Sequence, residues 1–379
     1  MGYTVRCLTK LIFSDDAGAD LNRELSAFPS GRVFVVSDPG IVLAGIAGPL
    51  IDVLRAAGRE PGLFTNILSN PGVEDVRAAV RAAQTIAPVA VIAVGGGSAI
   101  DVAKAVGLLL AHASDDWESF QWGRAPVTKE SLPVIAIPTT AGTGSEVTHV
   151  AVIGDRAGFK KGLVHPTLFP RVAIVDARLA LSLPPALTAA TGMDALTHAV
   201  EAYLGRRANP SMDLLALAAL KAIVRWLPQA THHGDDLQAR REMAQAAAWA
   251  GIAMDQSGLG LCHALCGPLT AHHKVHHGLG NAVLLPAGMA FNAEAIPADR
   301  WLPLREAVGL PAVARPDVLA GWMREFVASL GLPTNLRVLG VDGSTLDAMA
   351  EEATRMAMIG NNLREAGAAE CRAVLEAAM

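Results

Sequence analysis

Six apolar residues, Val89-Ala-Val-Ile-Ala-Val94, run without a break into Gly95-Gly96-Gly97-Ser98 and then into a helix-forming stretch that reaches about His112. A strand that is apolar throughout needs cover on both faces, and the helix that follows it supplies one layer. The chain repeats this order. Arg32-Val-Phe-Val-Val-Ser37 reads as a buried strand bounded by Gly31 and by Asp38-Pro39-Gly40. Residues 41–57 have helical spacing, Leu63–Leu68 is a second short strand and Val73–Ala87 a second helix. Pro133–Pro138, Val147–Ile153 and Val172–Asp176 add more strand. The alternation predicts a parallel sheet with helices on both faces. After about Leu183 the strand patterns nearly vanish, and Ala/Leu/Met-rich helical stretches separated by Pro and Gly take over. A chain of 379 residues can bury two cores. We therefore expect an α/β, Rossmann-like dinucleotide-binding domain over residues 1–182 and an all-helical domain over 183–379.

Glycines between a strand and a helix let backbone come close to a phosphate, and the helix start offers free N–H groups. Gly95, Gly96, Gly97 and Ser98 fit such a cradle, although Ile100 stands where the G-x-G-x-x-G pattern wants its last glycine. A tight structural turn fits them equally well. Asp101, a candidate cofactor contact beside this cradle, can equally be a first-turn acid complementing the helix dipole. The loop Pro138-Thr-Thr-Ala-Gly-Thr-Gly-Ser-Glu-Val147 also follows a strand. Its Thr139, Thr140, Thr143 and Ser145 hydroxyls suit a nucleotide and its ribose, and they equally suit a Ser/Thr turn. Asp38 ends its strand where a carboxylate can accept from ribose hydroxyls and would repel a 2′-phosphate. A turn-initiating Asp before Pro-Gly has the same local pattern.

Composition removes several classes. The net charge of −5, with no basic block, argues against nucleic acid as a partner. No apolar run approaches the roughly 18–20 residues of a membrane helix. The segment MGYTVRCLTKLIFSDD has no signal-peptide core, and Arg6 stands where myristoylation wants Ser or Thr, so a cytoplasmic protein is expected. The four cysteines are too scattered for a disulfide framework. Cys262 and Cys266 have no second pair nearby for a thiolate zinc site, and they read as apolar core.

In the second half, Thr191-Gly-Met-Asp-Ala-Leu-Thr-His-Ala-Val-Glu-Ala-Tyr203 opens on a break at Ala-Thr-Gly and continues as helix to Gly205. Asp194 and His198 are four apart and leave one face together. They can be a solvated pair or two ligands of one cation. His263 lies in an apolar surround, and His277 directly precedes Gly278 at the apparent entrance to another buried helix. One carboxylate and three imidazoles would suit Fe(II) or Zn(II) better than Mg(II).

GMDALTHAVEAY, the CHAL segment, HHGLGNAVLLP, GGGSAIDVAKA and PTTAGTGSEVT together resemble, in the same order, the signatures of the iron-containing alcohol dehydrogenase family. The resemblance runs from about Val33 to about Leu336. It implies the dehydroquinate synthase-like architecture, with a dinucleotide domain followed by a helical metal-binding domain. It also implies reversible hydride transfer between NAD(H) and a small alcohol or aldehyde. Asp194, His198, His263 and His277 would hold Fe(II), or alternatively Zn(II). By the same resemblance Gly95–Ser98 hold the pyrophosphate, and the loop from Thr139 through Gly142 and Thr143 to Ser145 lines the dinucleotide. Lys160 lies near the nicotinamide ribose, with Lys161 as its one-residue alternative, and Asp38 favours NAD over its phosphorylated form.

Three departures from the resemblance stand out. Many relatives carry a relay histidine four residues after the His263 equivalent, and this chain has Gly267 there. His272-His273-Lys274-Val275-His276 replaces apolar or neutral residues. These histidines can restore a proton relay, for instance through His273, give a positive rim for an anionic aldehyde, or simply form a solvated basic loop. Asn361-Asn362-Leu363-Arg364 replaces an Asn-Pro-Arg turn, with no chemistry attached. Maleylacetate reductases share the fold and the loops but usually work without metal, and the full ligand set argues against that branch. A non-enzymatic scaffold has no need of such a set. Apolar helix faces make a homodimer or larger homo-oligomer the expected assembly.

Overall fold

The computed structural model describes residues 2–67, 69–156 and 158–379. The chain forms two compact units. One comprises Cys7–Thr140 and Gly144–Ser182, and the other comprises Leu183–Met379, the N-terminal residues up to Arg6, and Ala141–Thr143.

The first unit contains β1 (Lys10–Ser14), β2 (Val33–Val36), β3 (Pro61–Phe64), β4 (Ala90–Gly95), β5 (Val134–Pro138), β6 (Val150–Gly154), β7 (Lys160–Val164) and β8 (Val172–Asp176). Six of these form one sheet in the order β1-β8-β5-β4-β2-β3, and every pairing is parallel. β6 and β7 form a separate antiparallel hairpin. On one face Val33, Val35, Ile92, Val94, Ile135 and Ile137 pack with Leu21, Leu25, Leu50 and Leu54 of two helices. On the other face Phe34, Val36, Val91, Ala93, Val134 and Ala136 pack with the helices Val73–Gln84 and Gly97–Ala111. Each central strand is thus covered on both sides, which is why it reads as an unbroken apolar run.

Several local expectations shift. The helical stretch 41–57 divides into Pro39–Leu43 and Ala47–Ala56, with Gly45 between them at φ +74°. The strand expected at Leu63–Leu68 lies earlier, at Pro61–Phe64, and Leu68 is outside the described residues. β1 and β7 carry at most a short apolar run and went unpredicted, because β1 borders only one strand and no residue of β7 is fully buried.

Chain order reverses between β4 and β2, and ligand crevices in open parallel sheets lie outside the carboxyl ends of strands at such a reversal. Asp38 follows β2, Gly95 ends β4 and Thr139 follows β5.

Among the described residues every strand belongs to this unit, and the second unit is helical. Its central helix, Pro185–Leu204, is buried along nearly its whole length from Thr188 onward. Ala-Thr-Gly is therefore not a helix start. Gly192 lies inside the helix, where a Cβ would come within 2.2 Å of Leu227 Cδ1. The glycine serves close packing against helix Pro210–His232, not chain breaking. Helices Leu237–Ser257, Leu261–His273 and His277–Asn292 pack around the same core. No helix of the described residues is long and apolar enough to cross a membrane.

Candidate metal centre and cofactor loops

One turn of helix Pro185–Leu204 brings Asp194 and His198 to a common face, with Asp194 Oδ1 3.6 Å from His198 Nε2. His263, in the first turn of helix Leu261–His273, places Nε2 3.6 Å from the same oxygen. His277, the first residue of helix His277–Asn292, places Nε2 3.7 Å from it. That helix can begin here because its second residue is Gly278, where a Cβ would stand 2.2 Å from the Ala190 carbonyl. Asp194, His263 and His277 each bring one donor atom within 4.8 Å of the others.

The donor chemistry and spacing fit a cation. Bonds of about 2.0–2.2 Å to a tetrahedral metal set neighbouring ligand atoms about 3.3–3.6 Å apart. The Asp194, His198 and His263 side chains are at most 4% exposed, whereas His277 is 32% exposed. The cluster is closed on three sides and open along the His277 flank.

Electrostatics set these groups apart. Burial alone would raise the Asp194 carboxyl, but His198, His277 and His263 outweigh it and hold it well below the ordinary range. Burial pushes His198 down to about 4, leaving the neutral imidazole that a metal requires. At His263 burial is outweighed by the Glu201 and Asp194 carboxylates, which raise it to about 9.

Two supporting side chains, Glu201 and Asn281, went unnoticed in the sequence, and a third, Cys266, was read there only as apolar core. Glu201 Oε2 lies 2.6 Å from His263 Nδ1, and its carboxylate also accepts from the N–H groups of Gly260 and Cys262. This carboxylate fixes the ring so that Nε2 faces Asp194, as outer partners of metal-bound histidines do. Its position three residues after His198, inside the GMDALTHAVEAY segment, was the available signal. Cys266 Sγ lies 3.3 Å from His277 Nδ1, so this cysteine stands behind a candidate ligand. Asn281, one turn after His277, points its amide Nδ2 into the cluster.

The departures also acquire places. Where a Cβ on Gly267 would sit, Met356 Cε is only 2.8 Å away, so a thioether fills that space. His272 Nε2 is 2.9 Å from Glu352, and His273 Nε2 is 2.8 Å from the Thr345 hydroxyl. Both rings are thus engaged by the C-terminal segment. Asn361 donates to the carbonyls of Ser257 and Leu259, and Asn362 accepts from the N–H of Leu261. These asparagines pin the entrance of the His263 helix.

At the sheet reversal, Gly96 caps helix Gly97–Ala111, which puts Gly97 and Ser98 in its first turn. A Cβ on Gly95 would lie 2.8 Å from Ala99 Cβ and 3.2 Å from Asp38 Oδ2. Asp38 Oδ1 caps the next helix by accepting from Ile41 N–H. The Thr139 N–H donates to the Gly95 carbonyl at 3.1 Å, tying the two loops together. The Thr140 side chain lies over Gly96, with Oγ1 3.4 Å from where a Cβ would be. Gly142 lies against the backbone of Thr191, leaving no room for a Cβ, and with Thr143 it belongs to the helical unit.

Asp101 is not a first-turn acid. It is a turn further in, where its carboxylate accepts from the Ser145 hydroxyl at 2.5 Å and from Val152 N–H at 3.0 Å. Lys104, fully buried, donates to Ser145, Thr148 and the Val150 carbonyl. The Ser145 hydroxyl is thereby committed to this internal tie. Lys160 Nζ meets Asn70 Oδ1 at 2.5 Å and contributes to the field at Asp101, while Lys161 lies 4.0 Å over the Trp122 ring. The two lysines face different surroundings, and Lys160 is the one on the Asp101 side.

Comparison with known proteins supplies the family. Residues 9–177 match the model described as iron-containing alcohol dehydrogenase, and residues 188–379 match the Fe-containing alcohol dehydrogenase family C-terminal model. The chain is 36% identical to a 4-hydroxybutyrate dehydrogenase of Cupriavidus necator, with 98% of each chain covered. A solved 1,3-propanediol oxidoreductase superposes with a TM-score of 0.94 at 32% identity, covering 100% of both chains. A sulfoacetaldehyde reductase from Bifidobacterium kashiwanohense, solved with NAD+, gives 0.89 at 28% identity, covering 100% of this chain and 98% of that one. With both halves matched and a curated relative aligned almost end to end, the chain belongs to the iron-containing alcohol dehydrogenase family.

Proposed function

We propose that this chain is an NAD(H)-linked, metal-dependent alcohol dehydrogenase and aldehyde reductase whose substrate is short and carries an anionic end. The observation that carries the catalytic part is the buried cluster of Asp194, His198, His263 and His277, with its open flank at His277. An anionic end is supported by the relatives named for 4-hydroxybutyrate and sulfoacetaldehyde.

When bound, Fe(II) or Zn(II) acts as a Lewis acid on the substrate oxygen, stabilising the negative charge that develops there. The nicotinamide, when bound, would supply the hydride chemistry. The protein's part is geometry. Asp194 and the three histidines would hold the cation, and Glu201 keeps the His263 ring from rotating. Burial of three of the four donors keeps water to the His277 side, where the substrate enters and the proton leaves. We assign the proton exit to that flank because Gly267 offers no imidazole and the His273 ring is engaged by Thr345. Gly95–Ser98 receive the pyrophosphate on backbone N–H groups. Asp38 selects the unphosphorylated ribose, and Thr139, Thr140 and Thr143 line the nucleotide. Retention of all four donors favours this reading over metal-free enoate reduction.

The test is anaerobic NADH oxidation by protein stripped with a chelator and reloaded with Fe(II) or Zn(II). Neutral aldehydes would be run beside carboxylated and sulfonated aldehydes of matched length. Activity restored by metal and higher on the anionic series is the expected result. Activity indifferent to stripping would sink the metal mechanism, and a preference for the neutral series would sink the anionic substrate.

A further inference from the structure

Asn281 lies on helix His277–Asn292 one turn after His277, so it shares that residue's face. Its side chain is fully buried. Nδ2 stands 2.7 Å from Asp194 Oδ1, 3.0 Å from His263 Nε2 and 3.3 Å from His277 Nε2. Its own Oδ1 is buried without a hydrogen-bond partner among the described residues.

An amide nitrogen carries two hydrogens and offers no lone pair to a metal. Here it serves the opposite purpose, as a donor to the Asp194 carboxylate, held between the two imidazole nitrogens that face the same oxygen. A cation bonded to those same atoms at about 2.0–2.2 Å would lie well inside contact distance of the nitrogen. Amide and cation therefore compete for one position.

We propose that Asn281 is the internal partner of this ligand set: its amide stabilises the protein when no cation is bound, must turn aside to admit one, and so sets the metal affinity. This rests on the metal centre proposed above. By linkage, whatever stabilises only the empty state weakens apparent binding by the same factor.

The experiment measures Zn(II) affinity by chelator competition, together with the melting temperatures of stripped and loaded protein, for wild type, Asn281→Ala and Asn281→Ser. Lost packing lowers both forms alike, so the difference between them isolates the amide. The expected result for Asn281→Ala is a stripped form that loses more than the loaded form, with Zn(II) bound about tenfold tighter, or ~1.4 kcal/mol. Asn281→Ser, which keeps a shorter donor, should fall between, and it carries the same criterion if the alanine variant does not fold. Unchanged or weaker Zn(II) binding, or equal losses in both forms, overturns the proposal while leaving the metal centre intact. Wild-type protein that takes up no Zn(II) overturns the metal centre and this inference together.

Discussion

Gly95–Ser98 and the cluster around Asp194 bind by opposite means. The loop offers backbone: its side chains are absent or small, and it is shaped by what has been left out, as Ala99 Cβ and Asp38 close in on the space above Gly95. The cluster offers only side chains, drawn from three helices whose backbone hydrogen bonds are already spent within the helices. A backbone site is damaged by adding atoms and a side-chain site by removing them. The largest expected effect therefore lies in the cluster. His263→Ala removes one donor and leaves Glu201 buried beside a void. It should lower turnover by about a thousandfold or more, since metal polarisation supplies several kcal/mol of transition-state stabilisation. Metal content measured beside NADH oxidation checks this, and a variant that keeps its metal and most of its rate would place the chemistry elsewhere.

The converse experiment adds a methyl group. Gly95→Ala introduces a Cβ 2.8 Å from that of Ala99, at the point where the two cofactor loops are tied by Thr139. The expected result is a rise in KM for NADH of about tenfold, near 1.4 kcal/mol, with Zn(II) affinity unchanged. Steady-state kinetics with separate metal titration distinguishes the two sites. If Gly95→Ala disturbed metal binding as much as cofactor binding, the comparison would collapse, because the sites would not be independent.

The two sites also differed in how much of them the sequence disclosed. The loop sits on central strands buried on both faces, so β4 and β5 announce themselves as apolar runs and the glycines mark where they end. β1 and β7, at an edge and in a hairpin, have no such signal. In the cluster, helical spacing alone joins Asp194 to His198. No spacing rule joins residue 194 to residues 263 and 277, and only the resemblance linked them. The supporting contacts were harder still. Glu201 to His263, Cys266 to His277 and Asn281 to Asp194 arise when helices meet, and Asp101 was misread because its partner Ser145 lies on another element. Gly192 was misread for the same reason: its meaning is Leu227, on the next helix. Periodicity reports which face of an element is buried, not what that face meets.

The smallest effect separates the two regions by pH. Glu146 stands in the hydroxyl-rich loop, only 4% exposed, and burial raises its carboxyl from 4.5 to about 7 against the pull of its own backbone N–H and of Lys104. Between those values the folded protein keeps a proton that the unfolded chain has released. Unfolding there gives up a proton, so stability falls as pH rises from about 4.5 to about 7 and is flat beyond. At 1.36 kcal/mol per pH unit the whole fall is at most about 3 kcal/mol. Glu146→Gln, which resembles the protonated acid, should remove this slope and melt higher than wild type at pH 8. Urea midpoints taken from pH 5 to pH 9 would show it, and coincident profiles for the two proteins would refute it. Zn(II) affinity at fixed pH should not differ between them, because the group that titrates belongs to the loop and not to the cluster. A shift in metal affinity on Glu146→Gln would mean that the loop and the cluster share a load that their separate construction does not predict.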